Sequence, residues 1–242
     1  MNHFFVEPAL VTGPEVRLEG EIAHQLSRVL RLEPGATILL LDGQGFEYLV
    51  ELSTVQRQGK ADIVTGRVLE RRAASGEPRV RLTLYQALVK GEKFDYILQK
   101  GTEIGISRFV PLLTERCVGQ TARPDRWKKI IREAAEQSHR GTLPGLVEQP
   151  LKLSEALERI KAGNETAFMA WEEEQELSFH QLPDGLTELS ILIGPEGGFS
   201  KNEAAQALAA GVRSISLGKR ILRAETAGPI AAALALYQLG DI

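Results

Sequence analysis

Ile191-Leu192-Ile193-Gly194-Pro195-Glu196-Gly197-Gly198-Phe199-Ser200 reads as a buried strand that ends in a glycine-rich turn. Ser200, with Glu203 three residues on, forms the capping-box pattern that opens a helix. A strand passing through a tight turn into a helix is the unit of a parallel sheet with helices on its faces. The same rhythm recurs outward from this stretch. Val80–Leu88, Phe109–Leu113, Thr166–Trp171, Leu189–Ile193 and Ser214–Leu217 are strand-like. Lys93–Ile104, Trp127–His139, Leu153–Lys161 and Glu225–Leu239 have helical apolar spacing. Their alternation predicts an α/β domain whose mostly parallel sheet is covered on both faces.

The first 73 residues read differently. Thr37–Leu41 and Glu47–Leu52 flank Asp42-Gly43-Gln44-Gly45, a hairpin signal. Ala61–Leu69 is a third β-rich run, and Glu21–Leu30 has helical spacing. A small β-barrel-like module over residues 1–73 is expected. Arg71–Pro78, polar and Pro/Gly-bearing, suits a linker to a second domain over residues 74–242.

With 242 residues, 43% of them hydrophobic, the chain can bury two ordinary cores without staples. One cysteine, Cys117, excludes a disulfide framework, and four scattered histidines offer no ligand pair, so a metal site is not expected. No run approaches the ~20 apolar residues of a membrane span. The N-terminus lacks the pattern of a signal peptide. No membrane partner is expected, and the cytoplasm is the plain location. A net charge of −3 gives no global attraction to nucleic acid, so any such site must be a local patch.

Two loops concentrate the chemistry. Gly194–Gly198 permits close backbone approach to a ligand at the carboxyl edge of the sheet. It is neither a Walker loop nor the dinucleotide fingerprint, and no acid follows the next strand to hold a ribose. The second loop runs Leu217-Gly218-Lys219-Arg220-Ile221-Leu222-Arg223-Ala224-Glu225-Thr226-Ala227, with no acid between positions 212 and 224. Residues 116–132 hold Arg116, Arg123, Arg126, Lys128, Lys129 and Arg132 against Asp125 alone. Trp127 in that run either stacks on a base or faces the core, and the core reading is preferred.

These two loops together resemble the RsmE branch of the SPOUT methyltransferases, which are 16S ribosomal RNA (uridine-N3)-methyltransferases. The resemblance extends through Gln99–Gly105, Pro111–Cys117, Arg126–Ser138 and His24–Leu32, and so covers essentially the whole chain. Asn2-His3 and His139 depart from the family pattern. The resemblance implies a PUA-like RNA-binding barrel followed by a SPOUT-type α/β domain with a C-terminal trefoil knot. It also implies S-adenosylmethionine as methyl donor, a homodimer, and 16S ribosomal RNA in the small ribosomal subunit as partner. The target would be N3 of one uridine in the decoding region, recognised in the assembled particle.

By that resemblance the donor contacts are Met169, Ala170, Ile193, Gly194, Glu196, Gly197, Gly198, Leu217, Gly218, Ile221, Leu222, Arg223 and Thr226. Methylation at N3 requires loss of the N3 proton, and an arginine beside O2 or O4 would stabilise the developing charge. Arg223 is the first candidate, unless it is tied into an ion pair with Glu225 or Glu196. Glu225 is a second catalytic candidate, as a base, although a helix N-terminus favours the ionised carboxylate. Phosphate contacts are expected from Arg28, Arg31, Arg116, Arg126, Lys128 and Lys129. The small apolar residues of the last helix, from Ala227 to Leu236, suit close packing within one chain or between two. Three other functions fit less well: a SPOUT enzyme for another base or a ribose, a non-catalytic RNA-binding protein, and a nicotinamide-dependent oxidoreductase.

Overall fold

The computed structural model describes residues 1–58, 61–117, 121–174, 177–183 and 185–242. The chain forms two compact units, Met1–Glu77 with Ala135–Leu143, and Pro78–Ala134 with Pro144–Ile242.

In the first unit, β1 (His3–Phe5), β2 (Glu15–Leu18), β3 (Thr37–Leu41), β4 (Phe46–Gln58) and β5 (Ala61–Ala73) form a sheet in the order β1-β3-β4-β5-β2. The hairpin turn forms where expected, because Asp42 Oδ1 accepts the N–H groups of Gln44 at 2.8 Å and Phe46 at 3.1 Å. Alternation sends Ile38, Leu40, Val50, Leu52 and Val64 into one core with Phe4, Val16 and Leu18. β1 and β2 are too short to show a period, and sequence reading missed both. Arg71, Arg72 and Ala73, expected in the linker, instead complete β5 opposite Tyr48, Glu47 and Phe46. The helix expected over Glu21–Leu30 is one α-turn, α1 (Gly20–His24), continued by a π-turn over Gln25–Val29. That turn brings two neighbours onto one carboxylate: Ser27 Oγ donates to Asp62 at 2.8 Å and Arg28 Nε at 2.7 Å.

Residues 74–77 and 135–143, expected in the second domain, belong to this first unit. Contacts that no local pattern reveals hold them there. The Phe5 N–H donates to Glu136 at 2.9 Å, the Gly45 N–H to the Gly141 carbonyl at 3.3 Å and the Ala74 N–H to the Gly45 carbonyl at 2.9 Å. A buried ion pair ties the two segments to each other. Arg140 is 2% exposed, and its Nη2 donates to Glu77 at 2.8 Å; the Thr142 N–H donates to the same carboxylate at 3.0 Å. His3 and His139, the two departures from the family pattern, are partners here, their rings stacked at 3.9 Å.

The second unit contains β6 (Arg81–Ala87), α2 (Lys93–Ile104), β7 (Arg108–Leu113), α3 (Pro124–Gln137, whose last turn belongs to the first unit), β8 (Gly145–Leu146) and β9 (Leu151–Lys152). It continues with α4 (Leu153–Ala162), β10 (Ala167–Ala170), β11 (Glu188–Ile193), α5 (Lys201–Ala209), β12 (Arg213–Ile215) and α6 (Ala224–Gln238). The strands lie in the order β12-β10-β11-β6-β7-β8, with β9 beside β7, and every pairing is parallel. Strand alternation divides the core in two. Leu82, Leu84, Phe109, Phe168 and Ile191 pack on one side with Phe94, Ile97, Trp127, Ala231 and Leu236 from α2, α3 and α6. Tyr85, Val110, Met169 and Leu192 pack on the other with Leu157, Ile160, Ala204 and Ala207 from α4 and α5. Both faces are therefore covered, as a parallel sheet requires. No helix among the described residues is long and apolar enough to cross a membrane.

Candidate functional site

β10, β11 and β12 end side by side at Ala170, Ile193 and Ile215. The segments leaving those ends enclose a cavity of about 910 Å³. Small-molecule sites of ~300–1,000 Å³ are common at such carboxyl edges.

The first wall is the glycine turn. Gly198 has φ +67°, and a Cβ on Gly194 would lie 3.0 Å from the Gly198 carbonyl carbon, so a side chain there would push the turn backbone aside. The capping box closes as the sequence predicts: Glu203 N–H donates to Ser200 Oγ at 3.1 Å, and Ser200 N–H to Glu203 Oε2 at 2.9 Å. Glu203 Oε1 also accepts the Glu115 N–H at 2.8 Å. Arg116 donates to the carbonyls of Gly197 and Phe199. The segment after β7 thus holds this turn in place.

The second wall is Ser216–Arg223. Leu217 and Leu222 pack against the core, while Ile221 is 78% exposed at the rim. Arg223 caps α6 with its carbonyl, which accepts the N–H groups of Thr226 and Ala227 at 2.8 Å each. Its side chain is exposed at the cavity. Among the described residues no carboxylate pairs with Lys219, Arg220 or Arg223. The two acids that could have tied Arg223 down both turn to Lys93 instead: Nζ lies 3.2 Å from Glu196 and 3.4 Å from Glu225.

Of the expected donor contacts, Ala170, Ile193, Gly194, Glu196, Gly198, Leu217, Gly218, Ile221, Leu222 and Arg223 line the cavity, as does Glu225. Met169, Gly197 and Thr226 do not. Strand alternation turns Met169 to the opposite face, where it is fully buried with Leu192. Gly197 faces Arg116, and Thr226 is exposed on the first turn of α6. Sequence reading missed Lys93, Trp171, Glu172 and Phe199, which also line the cavity. Trp171 and Phe199 directly adjoin quoted motif residues, so a one-residue extension finds them. Nothing local marks Lys93, because its helix lies a hundred residues upstream of Glu196.

The expected RNA contacts are scattered and mostly compensated. Arg116 serves the glycine turn. Arg126 pairs with Asp95 at 2.7 Å, Lys128 with Glu148 at 2.6 Å and Lys129 with Glu133 at 3.8 Å. Trp127 is 3% exposed and meets Phe94 with ring centroids 4.6 Å apart, so it belongs to the core. In the first unit Arg28 grips Asp62, while Arg31 is exposed with φ +51°.

A parallel sheet with a glycine-walled cavity at its carboxyl edge, preceded by a β-rich unit, defines a recognised class. Residues 76–236 match the RNA methyltransferase domain family, and residues 18–60 the RNA methyltransferase PUA domain. The ribosomal RNA small subunit methyltransferase E of Synechocystis is 36% identical, over 96% of this chain and 78% of its own length. That of Bacillus subtilis is 31% identical over 98% of this chain and 97% of its own. The crystal structure of the Neisseria gonorrhoeae enzyme of that name, bound to S-adenosyl methionine, superposes with a TM-score of 0.87, at 32% identity over 99% of this chain and 98% of that one. The chain belongs to the ribosomal RNA small subunit methyltransferase E family.

Proposed function

We propose that this chain transfers the methyl group of S-adenosylmethionine to N3 of a uridine in the decoding region of 16S ribosomal RNA, on the assembled small subunit in the cytoplasm. The observation that carries this reading is Arg223, uncompensated among the described residues, at the mouth of a cavity whose walls suit the donor. Leu217, Leu222 and Phe199 offer apolar surface for an adenine, and the glycine turn allows backbone groups to approach it. Glu172 and Glu174 supply negative charge toward a cationic sulfonium and amine. When bound, S-adenosylmethionine supplies an electrophilic methyl group.

The residues of this chain then have defined tasks. N3 lies on the Watson–Crick edge of uracil, so the base must leave its stack to reach the cavity. As the N3 proton departs, charge spreads onto O2 and O4, and the Arg223 guanidinium donates hydrogen bonds there. Glu225 is held toward Lys93, which gives it a supporting part in this reading. Lys219 and Arg220 meet the phosphates flanking the target, and Arg31 grips RNA from the first unit, with Arg28, already held by Asp62, the weaker contact. Arg116, Arg126, Lys128 and Lys129 contribute less, because each is already engaged.

The reading includes a homodimer and the C-terminal knot implied by the family. The small face of α6 (Ala227, Gly228, Ala231, Ala232, Ala235) is buried within the unit, while Ile230, Leu234 and Tyr237 form an exposed stripe on the same helix. Such a stripe suits a second copy.

Incubating the protein with labelled S-adenosylmethionine and unmodified small subunits, with free ribosomal RNA in parallel, tests the whole reading. Nucleoside mass spectrometry is expected to show N3-methyluridine from the subunits. A different methylated nucleoside would move the chain to another base or atom, and none at all, with donor bound, would overturn the catalytic reading.

A further inference from the structure

Lys93 lies in neither cavity loop, yet its ammonium touches both. Nζ is 3.2 Å from Glu196 Oε1 in the glycine turn and 3.4 Å from Glu225 Oε2 at the start of α6. Glu196 Oε1 also accepts the Lys90 N–H at 3.0 Å, so the segment entering α2 grips that carboxylate twice. Burial works against the ionised Glu196, but the N–H groups of Lys90 and of Glu196 itself, together with Lys93, outweigh it and hold its carboxyl below the usual range. The hydrogen bond to Glu196 in turn lifts Lys93 above the ordinary lysine range. Glu225 Oε2 is buried without a hydrogen-bond donor among the described residues, which leaves the ammonium to balance it.

We propose that Lys93 is a positioning residue that clamps the two cavity loops, 194–198 and 217–225, at the spacing the donor needs. This rests on reading the cavity as the S-adenosylmethionine site. The physical case is one of charge and backbone. Gly198 and Gly218 sit at positive φ in these turns, and without a Cβ their backbone is free to move. Without the lysine, Glu196 and Glu225 would stand as like charges on opposite walls and drive them apart. One ammonium between them replaces that repulsion with two attractions. An ordinary surface pair joins two side chains and is worth little. This cation joins three separate chain segments at the mouth of a cavity, so its loss is felt as loop mobility.

The test uses the full chain with Lys93→Met, Lys93→Arg, Glu196→Gln and the Lys93→Met/Glu196→Gln pair. Hydrogen exchange is measured on the ligand-free protein, and S-adenosylmethionine is titrated calorimetrically. For Lys93→Met, exchange in both loops and the donor Kd are each expected to rise by roughly tenfold, since a partly desolvated charge pair loses one partner. Lys93→Arg restores most of both. Glu196→Gln on top of Lys93→Met removes the repulsion between Glu196 and Glu225 and recovers part of both losses, the non-additivity that coupled residues require. Exchange unchanged in the loops overturns the proposal, and so does additivity of the two substitutions, which would mark Lys93 as a direct donor contact. Failure of the unsubstituted protein to bind the donor would instead overturn the reading of the cavity, while the exchange measurement still decides whether Lys93 clamps it.

Discussion

Residues 116–132, which include the first part of α3, and the loop 217–223 are both acid-poor, arginine- and lysine-rich stretches, and the fold treats them in opposite ways. On α3, Arg126 meets Asp95, Lys128 meets Glu148, and Lys129 meets Glu133 one turn along the same helix. On the loop, Lys219, Arg220 and Arg223 meet none among the described residues and face a cavity. A count of charge along the chain ranks residues 116–132 higher; a count in space reverses the order. A basic run can grip a polyanion only to the extent that tertiary structure leaves it uncompensated.

The largest expected effect sharpens the contrast from the α3 side. Trp127→Ala should cost ~3–5 kcal/mol of stability, as for other buried aromatics, read by urea unfolding. The protein that remains folded should keep its RNA affinity. Lost affinity with intact stability would make Trp127 a base-stacking residue and erase the distinction.

Next comes the loop. Arg223→Ala should lower turnover by about 100- to 1,000-fold, the cost of removing one donor from a site of developing charge, with donor affinity held within several-fold. Single-turnover kinetics and a donor titration separate the two. Intact turnover at saturating donor, with only binding lost, would reduce Arg223 to a cofactor contact.

A smaller effect compares the two regions directly. Lys219→Gln and Arg220→Gln should each reduce the slope of log affinity against log salt by about one, the signature of a lost phosphate contact. Neutralising Arg126, Lys128 and Lys129 together should change it by less than about one in all, because their charge is already answered. Equal slope losses per residue would break the comparison.

How far the sequence reaches follows the same division between local and long-range information. Lys93–Ile104 has the bounds its apolar spacing predicts, and the capping box of Ser200 and Glu203 closes atom by atom. Periodicity and capping are local, so both are legible. The glycine turns are legible for the same reason. Met169 was misplaced through a strand face, which is decided by what packs on each side. Lys93 and the Arg140–Glu77 pair were invisible because their partners are distant in sequence. Ion pairing is the least local property of a chain, and it decides which cations remain available.

The first unit offers a last and smallest test, on Arg28 and Arg31. Arg28 grips Asp62 with Nε at 2.7 Å and Nη2 at 2.9 Å, whereas Arg31 extends into solvent. By the logic of α3, Arg31→Gln should reduce the salt slope of RNA binding more than Arg28→Gln. The hydrogen bond from Arg28 is the main cause that holds the Asp62 carboxyl down at about 2, against burial, which works to raise it; Ser27 adds to the effect. A carboxyl depressed in the folded state contributes stability that is complete above its ordinary value of 3.8 and is lost as pH falls toward 2. Acid titration followed by amide exchange at Ser27 and Arg28 should therefore show local opening within that window, with no change near neutrality. Asp62→Asn should abolish the pH dependence there. Persistence of the transition in Asp62→Asn would assign it to another carboxylate, and would free Arg28 to count among the uncompensated cations.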